Sequence, residues 1–263
     1  MHRLVADLRF ALRRARTRIG FTSIAVISLA LGIGANTAVF SLVNAILLKR
    51  APVPHRDQIA EIYEHQTNFA FAPFSYPDYA AFRNASGGVF SQISISAFTA
   101  APRDFGDHVE TLFGEMVNGD YFPLLGLTPQ VGRMLGPEDD VAAGAHPVIV
   151  LSDEYWRRAF AADRNVVGRE IRLGGRAYAI VGVAPRNYRG MMAGIVPAFF
   201  APVKMINQLQ PSSGDGLLDR DNHSLFLKVR LAPGASMTQA IARARSFTSD
   251  MAQQFPKSWP TST

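Results

Sequence analysis

The residues of this chain that could do chemistry are mostly carboxylates and imidazoles. The densest acidic group is Glu138-Asp139-Asp140, which could serve as a cation site or as paired catalytic carboxylates. Adjacent carboxylates in a loop usually stay solvated, so we expect these three to be surface residues. The six histidines include no pair at metal-ligand spacing, and we expect no metal ligand among them. They lie at positions 2, 55, 65, 108, 146 and 223.

The sequence also lacks the motifs of the common hydrolases. It contains no phosphate loop ending in Gly-Lys-Ser/Thr, and Gly32-Ile33-Gly34 is an isolated glycine pair. It contains no Gly-x-Ser-x-Gly elbow and no cysteine, which excludes thiol catalysis. We therefore expect a non-enzymatic protein without a cofactor. Phe69, Phe71 and Phe74 lie in an irregular stretch and either line a substrate cleft or partner surface or pack between lobes of the domain.

The longest feature of the sequence is a run of thirty residues, Ile19 to Leu48, without a charged side chain. A helix needs about 20 apolar residues to cross a bilayer, so we predict a transmembrane helix over 19–48. The alternative is a cleaved signal peptide with Val43-Asn44-Ala45 as its cleavage site. Signal peptides have apolar regions of about 7–15 residues, whereas this run is longer and continues past that site. An uncleaved anchor is the favoured interpretation.

The first eighteen residues carry six arginines against one aspartate, and so hold five of the six net positive charges of the chain. Positive residues beside a span resist translocation, which predicts a cytoplasmic N-terminus and an exterior main domain. Apolar residues at helical spacing favour an amphipathic arm on an anionic membrane surface, and a solvated basic arm is the alternative. The residues predicted to face that surface are Arg9, Arg13, Arg14, Arg16 and Arg18. The rest of the chain is nearly neutral, which argues against nucleic-acid binding.

Small residues recur four positions apart within the predicted span. Ser28 and Gly32 form one pair, and Ala30 and Gly34 form another. Such pairs let a second helix approach closely in lipid. We predict that the anchor packs against another helix here, either in a homodimer or with a second membrane subunit. The alternative is a lone anchor in which the small residues are incidental.

The elements after the span follow from hydropathy pattern and capping signals. We predict strands at 59–64, 89–98, 109–117, 147–151, 196–203 and 224–231, and helices at 75–84 and 236–255. Ser152, followed by acids and then arginines, predicts a further capped helix. Gly174-Gly175 predicts a two-residue β-hairpin. The order of elements shows no regular βαβ repeat and indicates an α+β fold.

Seven phrases follow one another along the chain in a distinctive order. They are Leu31-Gly32-Ile33-Gly34-Ala35-Asn36-Thr37-Ala38-Val39-Phe40-Ser41; Phe74-Ser75-Tyr76-Pro77-Asp78-Tyr79; Gly119-Asp120-Tyr121-Phe122; Gly132-Arg133 with Pro137-Glu138-Asp139-Asp140; Val150-Leu151-Ser152 with Trp156-Arg157-Arg158; Val167-Gly168-Arg169 with Val181-Gly182-Val183; and Leu231-Ala232-Pro233-Gly234. In this order they resemble the MacB-like periplasmic core domain of ABC-type permeases, in the MacB/FtsX permease superfamily. The resemblance covers nearly the whole chain.

This resemblance implies one transmembrane helix followed by a two-lobed extracytoplasmic domain, with a smaller sabre-like lobe inserted into a porter-like lobe. The implied segments are a cytoplasmic arm at 1–18, the span at 19–48, the first part of the porter-like lobe at 52–118, the sabre-like insertion at 119–190, the second part of the porter-like lobe at 191–255 and a tail at 256–263. Permeases of the family have further membrane helices, and nothing after Leu48 could span a bilayer. We therefore expect this chain to be the first half of such a permease.

The function that the resemblance implies is that of a non-catalytic permease subunit in an ABC-type efflux or lipoprotein-extrusion system. It would sit in the bacterial inner membrane with its main domain periplasmic or extracellular, and a separate ATPase subunit would drive its shape change. An outer-membrane channel is a further candidate partner. The alternative is a membrane-anchored scaffold or regulator that recruits an extracytoplasmic partner such as a cell-wall hydrolase, as FtsX-like relatives do.

Overall fold

The computed structural model describes residues 19–43, 53–66, 69–106, 108–186, 188–191, 195–211, 215–256 and 259. The chain divides into two compact units, one comprising residues 1–50 and the other residues 51–263. The first unit contains α1 (Ile19–Val43). Ile19–Phe40 is long and apolar enough to cross a membrane, and none of it is buried within the protein. Residues 44–48 of the predicted span lie outside the described residues.

The second unit is built from short helices and strands in mixed order. Its helices are α2 (Tyr76–Ala85), α3 (Tyr121–Leu125), α4 (Asp153–Phe160), α5 (Ile206–Leu209) and α6 (Met237–Gln254). Its strands are β1 (Ile59–Ile62), β2 (Glu64–Gln66), β3 (Phe69–Ala72), β4 (Phe90–Asp104), β5 (Val109–Val117), β6 (Val131–Gly132), β7 (Val148–Leu151), β8 (Glu170–Leu173), β9 (Arg176–Val183), β10 (Phe199–Pro202) and β11 (Phe226–Leu231). Short 3-10 turns occur at Arg56–Gln58, Pro137–Asp139, Arg164–Val166 and Val203–Met205.

Nine of these strands form one mixed sheet in the order β1, β11, β4, β5, β10, β7, β9 and β6, with β8 also paired to β9. The β5–β10 and β7–β9 pairs are parallel and the others are antiparallel. β2 and β3 form a separate hairpin. This mixture of elements confirms the predicted α+β class. The strands from 119–190 occupy one end of the same sheet, and the division into two lobes stays a prediction.

Apolar side chains cover both faces of the sheet. The larger cluster packs against α2 and α6 and includes Phe82, Ile95 and Phe247. The smaller cluster, on the opposite face, packs against α3 and includes Phe122 and Phe200. The larger cluster joins residues from the beginning and the end of the exterior domain, from Phe74 to Trp259, so neither part of the chain forms this core alone.

Local sequence signals gave the helix starts and one turn correctly. The Ser75 and Ser152 side chains accept hydrogen bonds from the backbone N–H of Asp78 and Tyr155, which caps α2 and α4 as predicted. The predicted hairpin is also confirmed, because β8 and β9 are joined by Gly174-Gly175. Both glycines have positive φ, 58° and 81°, as a two-residue hairpin turn requires.

Some strand boundaries differ from the predicted ones because they are set by pairing with other strands. The predicted strand at 59–64 is two strands, because β1 pairs with β11 while β2 pairs with β3. β4 continues to Asp104, beyond the predicted end at 98, because β5 pairs with it along its whole length. The strand predicted at 196–203 is reduced to β10 (Phe199–Pro202).

Candidate functional site

The predicted helix-packing residues lie on α1 and are open to contact. Ser28, Ala30, Gly32 and Gly34 are exposed. A Cβ atom added at either glycine would meet no other atom within 4 Å. Their pairing with a second helix stays a prediction. The predicted membrane-surface residues Arg9, Arg13, Arg14, Arg16 and Arg18 lie outside the described residues.

The acidic cluster Glu138-Asp139-Asp140 matches the expected surface position only in part, because Glu138 is exposed while Asp139 is buried and Asp140 is half-buried. Asp139 is buried and paired with Arg133, with N–O distances of 2.5 and 2.8 Å, and it also accepts the Gly136 N–H at 3.0 Å. Burial raises the pKa of Asp140 to about 6. The expectation was wrong for Asp139 because the 3-10 turn at Pro137–Asp139 folds the carboxylate back onto its own loop. The cluster is therefore a structural loop clasp.

A cluster of polar side chains in the exterior domain centres on Asp78, which is fully buried in the first turn of α2. One carboxylate oxygen accepts from Arg220. The other accepts from the Ser75 hydroxyl at 2.8 Å and from the Trp259 indole N–H at 3.2 Å. We call these four residues the Asp78 lock. It binds three segments that are far apart in the sequence.

The Asp78 lock fixes the chain after α6 to the domain. Trp259 is buried, and its ring packs edge-on against Phe74 and Phe247, with centroid distances of 6.2 and 5.7 Å. Arg220 lies over the Phe255 ring at 3.9 Å. The segment predicted as a tail from 256 thus contains at least one core residue. Of the aromatic residues with an open role, Phe74 is buried while Phe71 is exposed beside Tyr63.

A titratable pair adjoins the lock. Ligand atoms of Glu64, Asp78 and His223 all lie within 4.8 Å of one another, a grouping that could in principle hold a metal ion. Both Asp78 oxygens already accept hydrogen bonds, one of them from the Arg220 guanidinium, and the His223 Nδ1 lies 3.0 Å from Glu64. A cation would have to displace a buried ion pair. The donor set fits an internal ion-pair network better than a metal centre.

His223 gives this network a dependence on pH. The hydrogen bond to Glu64 raises the pKa of His223 above its ordinary value of 6.5. The charged form of His223 therefore stabilises the fold. This contribution to the free energy of unfolding is fully present below the unfolded-state pKa and is lost as the pH rises through the folded-state pKa. We expect the free energy of unfolding to fall as the pH rises above about 6.5, and His223→Gln to remove that fall.

Chemical denaturation across this pH range measures the effect. His146→Gln is the matched control, because the side chain of His146 takes no part in the network, and it should keep the wild-type slope. An unchanged slope in His223→Gln would show that another group titrates.

A second junction forms around Arg230 on β11. Its Nε donates to the carbonyl of Leu124 at 2.8 Å, and its Nη2 donates to the same carbonyl at 2.5 Å and to that of Pro54 at 3.2 Å. Its Nη1 lies 3.4 Å from the carbonyl of His55 and from the Gln58 side-chain oxygen. We call these five residues the Arg230 junction. It joins the segment before β1 to the end of α3.

Some further charged groups in the described residues are paired or hydrogen-bonded within the fold. Burial raises the pKa of Glu115, whose carboxylate accepts from the Tyr121 hydroxyl at 2.9 Å. A surface cleft of about 410 Å³ has charged walls, where Arg157 pairs with Asp153 at 2.9 Å and Arg189 lies 3.6 Å from Glu154. Taken together, these arrangements can hold chain segments in place.

The sequence patterns did not predict the Asp78 lock or the Arg230 junction. Arg220 lies in a polar loop, and Arg230 alternates with apolar residues on a strand, so both have the pattern of solvated charges. Asp78 belongs to one of the seven phrases, 74–79, which marked it as part of a family pattern without giving its partners. No local signal indicates which distant carbonyl an arginine will bind.

This architecture is similar to that of known proteins. The model of the MacB-like periplasmic core domain matches residues 22–247. The periplasmic region of MacB from Actinobacillus actinomycetemcomitans is similar in structure, with a TM-score of 0.55, 14% sequence identity and coverage of 76% of this chain and 85% of that one.

The extracellular domain of the noncanonic ABC-type transporter YknZ from Gram-positive bacteria is also similar, with a TM-score of 0.55, 14% identity and coverage of 75% and 95%. At these low identities the structural similarity shows a shared fold and no more. No curated protein sequence matches significantly. The family match spans most of the membrane helix and of the exterior domain, and the chain therefore belongs to the family of MacB-like periplasmic core domains.

Proposed function

We propose that this chain is a membrane permease subunit of an ABC-type efflux or lipoprotein-extrusion system, and that a separate ATPase drives its shape change. The observation that carries the proposal is the extent of the family match, from residue 22 within α1 to residue 247 within α6. It ties the membrane helix and the exterior domain to one permease family.

The proposal includes two kinds of partner. The ATPase acts from the cytoplasmic side, where the arginine-rich N-terminal arm is predicted to lie. A second copy of the chain, or another permease subunit, packs against α1 through Ser28, Ala30, Gly32 and Gly34. Their spacing of four positions supports this contact, because small residues on one helix face let a second helix approach closely.

Covalent capture in native membranes tests the ATPase partnership without requiring a stable complex. Because the chain has no cysteine, a thiol-directed photo-cross-linker can be attached at Thr17→Cys alone. We expect mass spectrometry of the cross-linked product to identify a phosphate-loop ATPase. The matched control is the same reagent at Ser249→Cys, an exposed position on α6, which should capture none.

Two outcomes would contradict the proposal. Capture of a cell-wall hydrolase from Ser249→Cys, with no ATPase captured from Thr17→Cys, would favour the scaffold interpretation. Hydrolysis of ATP by the purified chain itself would contradict a non-catalytic subunit.

A further inference from the structure

Arg230 has an unusual set of partners for a charged residue on a strand. Its described contacts are backbone carbonyls and one amide oxygen, belonging to Pro54, His55, Gln58 and Leu124. These groups come from two segments that are about seventy residues apart in the sequence. An arginine that only needed charge compensation would be expected to pair with a carboxylate. Here the guanidinium instead bridges two pieces of backbone.

The geometry of the guanidinium explains how one side chain can do this. Its five N–H donors lie in a rigid plane and can address several oxygens at once. The carbonyl of Leu124 is in the last turn of α3, where helix carbonyls lack partners within the helix. A lysine would present a single compact charge on a flexible stem. It could satisfy one of the two segments but could not hold both in fixed geometry.

Packing brings the same two segments together independently of Arg230. Gly126, which follows α3, has a left-handed φ of 63°. A Cβ atom there would lie 3.5 Å from the Pro54 ring. Val53 and Ile59 pack against the apolar cluster that contains Leu124. The segment 53–59 and the end of α3 are thus in direct contact, and Arg230 fastens their backbones together.

The positions of these segments in the chain suggest a mechanical role. Residues 53–58 lead into β1 and follow the membrane helix in the sequence, and α3 opens the predicted insertion at 119–190. We propose that Arg230 is a positioning residue, which transmits displacement of the segment leaving the membrane to α3 and so to the insertion. This inference rests on the proposed function, in which events at the membrane change the shape of the exterior domain.

Bilayer thickness provides a defined displacement that needs no partner protein. The 25 residues of α1 make a helix of about 37 Å, longer than a hydrocarbon core of about 30 Å, so thinner bilayers should tilt it more. The chain is reconstituted in nanodiscs of phosphatidylcholine with either short or long monounsaturated chains. Hydrogen–deuterium exchange is then followed in peptides covering 53–59 and 121–127.

In the wild type, we expect exchange in both segments to change with bilayer thickness. In Arg230→Lys, exchange in 53–59 should still change with bilayer thickness, whereas exchange in 121–127 should no longer change with it. Exchange in 121–127 should also be on the order of tenfold faster in either lipid, because a charge-assisted hydrogen bond is lost. The matched control is Arg172→Lys, since Arg172 is exposed and donates to Gly175 in its own hairpin turn. It should behave as the wild type does.

If Arg230 had only a structural role, its replacement would speed exchange at α3, but that exchange would still change with bilayer thickness. Exchange in 121–127 that still changes with bilayer thickness in Arg230→Lys would therefore overturn the proposal. A wild type in which exchange in neither segment changes with thickness would also overturn it. Arg230→Gln should show the same uncoupling, and it replaces the lysine variant if that variant does not fold. No ATPase is present in this experiment, so a negative exchange result would not change the interpretation of the cross-linking at Thr17→Cys. A negative cross-linking result would likewise not change the interpretation of the exchange experiment.

Discussion

Replacing Asp78 with alanine is expected to lower the free energy of unfolding of the exterior domain by about 3–5 kcal/mol, because removing one member of a buried ion pair leaves the other uncompensated. The side chain of Arg220 is largely buried, and the Trp259 indole N–H would lose its acceptor. Thermal unfolding of the purified chain in detergent, followed by circular dichroism, should show a midpoint lower by on the order of 10 °C.

The matched control for this variant is Asp57→Asn. Asp57 is an exposed acid with no ion pair in the described residues, so its replacement should change the midpoint by less than about 2 °C. A double variant that also replaces Arg220 with methionine should recover part of the loss, because it removes the unpaired charge. A midpoint in Asp78→Ala equal to that of the control would mean that the Asp78 lock does not stabilise the domain.

Single-cysteine labelling is expected to show an all-or-none difference across the membrane. Because the arginines precede the span, Thr17 should lie in the cytoplasm and Ser246 outside. An impermeant thiol reagent applied to intact cells, or to spheroplasts where an outer membrane blocks access, should label Ser246→Cys fully and Thr17→Cys only after lysis. The natural absence of cysteine removes background labelling.

The two variants serve as controls for each other, since lysis should make both sites reactive. Labelling of Thr17→Cys alone in intact cells would reverse the predicted orientation. Loss of residues 1–45 from the mature protein, detected by mass spectrometry, would instead support the cleaved signal peptide.

Features that depend on neighbouring residues could be predicted from the sequence. The membrane helix follows from composition over a single stretch, and it was predicted without knowledge of any partner. The starts of α2 and α4 follow from serines that cap the next turn, and the β8–β9 hairpin follows from two adjacent glycines. Each of these depends on interactions within a few residues, so the local pattern contains what is needed.

The order of elements predicted the fold class, and one of the family phrases contains Asp78, but neither supplied the pairings. The order of the sheet, with β11 between β1 and β4, depends on which apolar faces can be buried together. That choice involves the whole exterior domain. It also ended β4 later than the sequence pattern indicated, because β5 remains paired to it.

The two junctions show the limit most clearly. Asp78 and Arg220 are separated by 142 residues, and Arg230 and Leu124 by 106. An aspartate at a helix start has the same local pattern whether its side chain faces water or binds a distant residue. The same is true of an arginine on an alternating strand. The sequence by itself determined the span, the caps, the hairpin and the charge bias. Only the tertiary structure decided which charges are buried and paired, because the partner of a long-range hydrogen bond is set by strand register and burial rather than by neighbouring residues.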